Sequence, residues 1–157
     1  MFQMRLTQKI LCFTCLTLAL CLAASCDDED DISSIFSGKT WYVSGGEING
    51  NPIVGDNLKS IYAVASTYMI YFSADQSFTG VLAQGSSIAG TWKANGKNNS
   101  MTLQFSKSDN VNVSALSNNI YNVLKDANSY SGDENNIKIK EDSHNYIRFT
   151  NKRNLSE

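Results

Sequence analysis

Short apolar runs in strict alternation, separated by turn-forming residues, leave this chain little choice but an antiparallel sheet. The clearest run is 101–106, where Met101, Leu103 and Phe105 alternate with polar neighbours. Successive strand side chains point to opposite faces, so period two sets one face on a core and the other in water. Asn95-Gly96, a strong hairpin signal, separates this run from 88–94, with the loop extending to Asn99. A second hairpin is expected from 67–72 and 77–82 around 73–76, with Tyr68, Ile70 and Phe72 on one face. A third is expected from 137–140 and 146–150 around 141–145. Residues 40–44, before Gly45-Gly46, read as the opening strand. Residues 47–65, which hold the single proline (Pro52), are ambiguous, and 58–65 fits either a strand or a short helix.

One segment breaks the β pattern. Between Ser114 and Asn128, Leu116, Ile120, Val123, Leu124 and Ala127 form one apolar helical stripe, with Ser114 or Asn112 available as N-cap. Residues 128–132 then end the helix. About six to eight strands with one helix bury their apolar face best by curling closed, which also removes exposed edges. The expected fold is therefore mainly β: a small antiparallel meander or barrel over 35–151, with one helix near the C-terminal third covering a mouth or seam.

The N-terminal region encodes an address. Arg5 and Lys9 precede an uncharged stretch from Ile10 to Ala24, the basic and apolar parts of an export signal over 1–25. That stretch is too short for a comfortable transmembrane helix, which needs about 20 apolar residues. All four cysteines (12, 15, 21 and 26) lie in or beside it, so cleavage before Cys26 leaves one thiol in the mature chain. Leu22-Ala23-Ala24-Ser25-Cys26 resembles a lipobox, which implies that Cys26 carries the lipid; an ordinary cut that leaves a free thiol is the alternative. Several acyl chains on one residue give stable membrane attachment.

Asp27-Asp28-Glu29-Asp30-Asp31 follows at once, and five adjacent like charges repel and stay extended. Residues 26–34 therefore read as lipidated cysteine and acidic tether. Cysteine followed by this acidic run resembles the surface-export signal of Bacteroidetes lipoproteins, which implies an outer-membrane, cell-surface location; a merely solvated linker is the alternative. Without Arg5 and Lys9 the chain has 11 Lys and Arg against 15 acids, and setting aside the five tether acids leaves 10. The body is nearly neutral and has no basic stripe, which argues against nucleic-acid binding.

Leader, acidic tether, Gly38-Lys-Thr-Trp41 and the later Gly90-Thr91-Trp92 resemble the small lipocalin-like lipoproteins of Bacteroidetes-type bacteria, grouped as domains of unknown function. The resemblance covers most of 35–150 and implies a lipocalin-like barrel. A related β-fold with a solid core, like the META-type lipoprotein domains, is the alternative.

Reactive groups are sparse in the body. His144, the sole histidine, sits among Glu141, Asp142, Ser143 and Asn145 on one expected turn. A triad draws its members from separate segments onto an oriented site, so an exposed turn is the simpler account. Without mature cysteines or a second histidine, a structural zinc site has too few of its usual ligands. No catalytic residue, metal ligand or cofactor is expected, and the chain reads as a non-enzyme. The aromatic residues Trp41, Tyr68 and Trp92 are candidates for lining a ligand pocket, although such residues more often fill a small barrel. The expected function is a membrane-anchored lipoprotein that binds a small apolar molecule, glycan or peptide in the barrel mouth. The alternative is a module with a filled core that docks on another envelope protein, and the least favoured reading is an enzyme with an unrecognised site.

Overall fold

The computed structural model describes residues 32–153; the expected export signal, Cys26 and the acidic run lie outside them. In chain order the elements are α1 (Ile32–Phe36), β1 (Lys39–Ile48), β2 (Asn51–Pro52), α2 (Asp56–Ala63), β3 (Met69–Phe72), β4 (Ser77–Val81), β5 (Ser87–Asn95), β6 (Ser100–Asp109), α3 (Ala115–Lys125), β7 (Ser129–Gly132), β8 (Asn136–Lys140) and β9 (Tyr146–Thr150). Strand β1 pairs with β3 on one side and β9 on the other, so eight strands close into an antiparallel up-and-down barrel. The short β2 pairs only with the end of β1. The mainly-β antiparallel barrel expected from the alternation is the fold observed, and it fits the lipocalin-like barrel that the resemblance implied.

Closure runs through β1. Its first half pairs with β3, as in Trp41↔Ile70, and its second half with β9, as in Val43↔Phe149 and Gly46↔Ile147. The register shifts between Val43 and Gly45, a bulge that bends the strand. Gly45-Gly46, expected to lie beyond the opening strand, therefore lies inside it. Gly46 has φ +154°, and a Cβ there would sit 2.4 Å from the Tyr146 carbonyl oxygen, so only glycine fits this corner. A second close approach occurs where β5 and β6 shift register at Ala89/Gly90. A Cβ at Gly90 would meet the Gln104 carbonyl oxygen at 2.0 Å and the Phe78 ring at 2.9 Å.

Large side chains fill the interior. Phe36 of α1 contacts Phe72 and Trp92, both at 5.4 Å between ring centroids, and Tyr130 at 5.1 Å. The contacts continue through Phe72–Phe78 (6.2 Å), Phe78–Phe105 (5.2 Å) and Phe105–Tyr121 (5.0 Å). An aromatic column thus runs from α1 to α3, and each such pair adds about 0.5–1.5 kcal/mol beyond its area burial. Ile35 and Phe36 are buried in the core. Helix α1 is therefore part of the packed body, although residues 32–34 were read from sequence with the tether.

Helix α3 matches the expected stripe, with Leu116, Ile120, Val123 and Leu124 buried and the Ser117 amide donating to the Ser114 cap at 3.1 Å. Its position follows from a gap in the sheet. Strands β6 and β7 share one ladder position, Ser100↔Ser129, and α3 packs beside β6 where a strand would otherwise pair, with Tyr121 against Phe105. Residues 128–132 were expected only to end the helix. They also form β7, with the Met101 amide donating to Asn128 and the Tyr130 amide to Asn99. The ambiguous 47–65 region resolves as β2 and α2. The α2 carbonyl end is capped by Arg153, whose guanidinium donates to the carbonyls of Ile61 (3.0 Å), Thr67 (2.7 Å) and Val64 and lies over the Tyr42 ring.

Replacing Gly46 by Ala should destabilise the barrel by at least about 1 kcal/mol, because the new methyl needs both a strained φ and a displaced β9. A lowered denaturant midpoint at unchanged slope would show it, and an unaltered midpoint would contradict the close-approach account.

Candidate functional site

The two ends of the barrel differ. One end carries α1 and the turns at 73–76, 96–99 and 133–135; the other carries the Asn49-Gly50 turn and the loops at 82–86 and 141–145. A groove opens at this second end, between α3, the Asn49-Gly50 turn and the 141–145 loop. It has two adjoining lobes of about 260 Å³ and 280 Å³ that share Ile48, Asn49 and Asn119.

Each wall follows from local sequence. Asn119 and Asn122, at i and i+3, project from one exposed face of α3, and Asp126 caps its C-terminus on the same side of the groove. Asparagine is a weak helix former, and the helix is held by its buried stripe instead. The first lobe has an apolar floor of Ile48, Pro52, Ile53 and Leu116, rimmed by Asn49, Asn51, Asn57 and Asn119. The second is more polar, with Asn122, Asp126, Glu141 and Asn145 along its walls.

The turns opposite α3 are tied to each other. The Asn49 amide donates to Asn145 Oδ1 at 2.8 Å, and the Gly50 amide to the His144 carbonyl at 3.1 Å. His144 Nδ1 lies 3.1 Å from Glu47 Oε1, while the Tyr146 hydroxyl donates to Glu47 Oε2 at 3.3 Å. Asp142 Oδ1 accepts from the amides of His144 (2.7 Å) and Asn145 (2.8 Å), and Asp142 Oδ2 from the Asn145 side chain at 3.1 Å. Asn49 takes φ +52°, a left-handed conformation in which asparagine is enriched. Hydrogen bonds between residues 96 and more positions apart thus brace this wall, and the Asp142 contacts hold the 141–145 loop in its turn.

Charge inside the groove is unbalanced. Burial holds the Glu141 carboxyl above its ordinary value, and the like charges of Asp142 and Asp126 push it further up. Asp142 itself is held low, first by the Asn145 side chain and then by the His144 amide. Among the described residues no three His, Cys, Asp or Glu side chains converge as a metal site would require.

The aromatic residues singled out from sequence lie elsewhere. Trp41 is wholly buried in the barrel, its Nε1 without a hydrogen-bond partner. Tyr68 is buried just before β3. Trp92 is buried against Phe36 and Phe72 and donates to the Ser73 carbonyl at 3.2 Å. The structure does not bring the three together around one pocket. Trp92 alone borders an open depression of about 410 Å³ on the outer face of β5 and β6, otherwise lined by Thr91, Lys93, Thr102, Gln104 and the 75–76 turn. Sequence reading missed the groove asparagines, whose one available signal was weak helix formers on the polar face of α3.

Comparison with known proteins gives a family match and a structural one. The family model described as a domain of unknown function, DUF4847, matches residues 27–151. The crystal structure of a DUF4847 family protein from Bacteroides vulgatus ATCC 8482 superposes with a TM-score of 0.65 at 25% sequence identity. It covers 78% of this chain and 99% of that one. No curated protein matches.

Glu141 gives a testable pH dependence. A carboxyl whose folded pKa is raised favours the protonated folded state, so its contribution to stability declines as pH rises from the ordinary glutamate value through the folded one. Glu141→Gln should therefore leave stability unchanged near pH 3 and raise the unfolding midpoint at pH 7. Equal midpoints for both proteins at pH 7 would show that the groove imposes no penalty on this charge.

Proposed function

The chain belongs to the DUF4847 family, and on that premise we propose that it is a lipid-anchored, non-enzymatic binding module of the bacterial envelope. Its ligand sits in the groove beside α3 and not inside the barrel. The observation that carries this reading is the aromatic column from Phe36 to Tyr121. A ligand of ordinary size has no place along an axis already occupied by rings. The groove, by contrast, is open, braced on the side of the tied turns and rich in polar groups. Each lobe alone falls just short of the roughly 300 Å³ at which small-molecule sites begin, and the two adjoin at Ile48, Asn49 and Asn119, so an elongated ligand can lie across both.

Two features favour anchoring through Cys26. The outward strand positions are polar, as with Thr91, Lys93, Thr102 and Gln104, whereas a barrel that spans a membrane is apolar outside. The chain also enters the fold at α1, at the end of the barrel opposite the groove. A module tethered there by residues 26–31 presents its groove away from the membrane and towards whatever the cell meets.

Cells expressing the full chain and fed an alkyne fatty acid should label the wild type and not Cys26→Ser; label retained on the variant would remove the anchor from this reading. For the groove, Asn119→Trp should abolish co-purification of envelope-derived molecules with the detergent-solubilised protein, while Thr102→Trp, in the β5–β6 depression, should retain it. Equal recovery from both variants would contradict the assignment of the groove.

A further inference from the structure

We infer that the groove takes a neutral oligosaccharide; this deepens the binding reading above and rests on it. Side-chain amides each offer two donors and an acceptor, and Asn51, Asn57, Asn119 and Asn122 border the groove as exposed residues. Asn57, Asn119 and Asn122 stand outside the hydrogen bonds that tie the Asn49-Gly50 turn to the 141–145 loop. Hydroxyl groups, which both donate and accept, are the natural complement of such a row. A chain of sugar rings presents them at intervals along its length, as the groove presents amides along its two lobes.

The carboxylates refine the class. Asp126 and Glu141 face the second lobe, and neither forms an ion pair among the described residues. Ionised carboxylates are acceptors only, so they take hydrogen bonds from sugar hydroxyls and repel a uronic acid or a phosphorylated sugar. The apolar floor of Ile48, Pro52, Ile53 and Leu116 suits the C–H faces of a pyranose ring, which expose no hydrogen-bonding group. An extended peptide fits less well. Peptides gain affinity by adding a strand to an open edge, and the edge on this groove is the two-residue β2, where Pro52 offers no amide hydrogen.

Three probes, maltohexaose, cellohexaose and chitohexaose, would be titrated into the full, detergent-solubilised chain and followed by amide NMR. At least one should shift the side-chain signals of Asn119 and Asn122 while leaving Thr91 and Gln104 unmoved. The exposed pair Asn119→Ala/Asn122→Ala should bind that sugar about tenfold more weakly, the loss expected when two hydrogen bonds disappear, with the folded spectrum otherwise retained. If none of the three shifts the groove, or if the double variant binds as tightly, the oligosaccharide assignment is overturned. Should the Asn119→Trp variant still lose its envelope-derived molecules in that case, the groove remains a binding site and only the ligand class is wrong. Shifts confined to the β5–β6 face would overturn both.

Discussion

The structure depends on β1 serving two neighbours. A ten-residue strand pairs with β3 along its first half and with β9 along its second. That double pairing converts an open meander into a closed ring, whose one weak seam, between β6 and β7, is covered by α3. The bend between the halves needs a residue with no side chain at Gly46, because the Tyr146 carbonyl occupies the space a Cβ would take. Everything at the groove end inherits its position from this corner. The Asn49-Gly50 turn, Glu47 and β2 lie just past the bulge, and β9 brings His144, Asn145 and Tyr146 beside them.

Closure also dictates where a ligand can go. An eight-stranded barrel has an interior about wide enough for side chains or for one small ligand. Here Trp41, Phe72, Phe78, Ile88, Met101 and Phe149 point inward, and Phe36 enters from the α1 end. Gly80 and Gly90 lie at buried positions of β4 and β5, and the Phe78 ring lies over Gly90. The glycines therefore make room for rings. The barrel thus resembles lipocalins in strand arrangement while its packing is that of a solid core, and the polar recesses lie outside.

Much of the fold was legible in the chain. Alternation located β4, β5, β6, β8 and β9, since each has one face in the core and one in water and a one-residue slip would expose Phe78, Leu103 or Ile139. The stripe from Leu116 to Leu124 located α3 for the same reason at helical spacing. Strand β7 was not legible, because Ser129-Tyr-Ser-Gly132 carries one buried apolar residue, Tyr130, and four residues hold too little pattern. Helix α1 escaped as well, since a five-residue element next to an acidic run shows no periodicity. Phe36 reveals its role only when Phe72, Trp92 and Tyr130 surround it. The groove was illegible for a related reason. Asparagines in turns and on a polar helix face read as solvated punctuation, and nothing local says that residues 49, 119 and 145 meet.

By itself the sequence determined the local elements, the barrel class and the near neutrality of the body, because these follow from side-chain periodicity and from charge summed over neighbouring residues. Only the tertiary structure decided that Gly45-Gly46 bends a strand instead of ending one, that α3 fills the gap beside β6, and that the three singled-out aromatics belong to the core. It alone also decided that amides and two carboxylates from distant segments line one groove. These outcomes rest on contacts between residues up to about a hundred positions apart, such as Asn49 with Asn145 and Glu47 with His144. Closing such distances is a property of the whole ring, and no short window of sequence carries it.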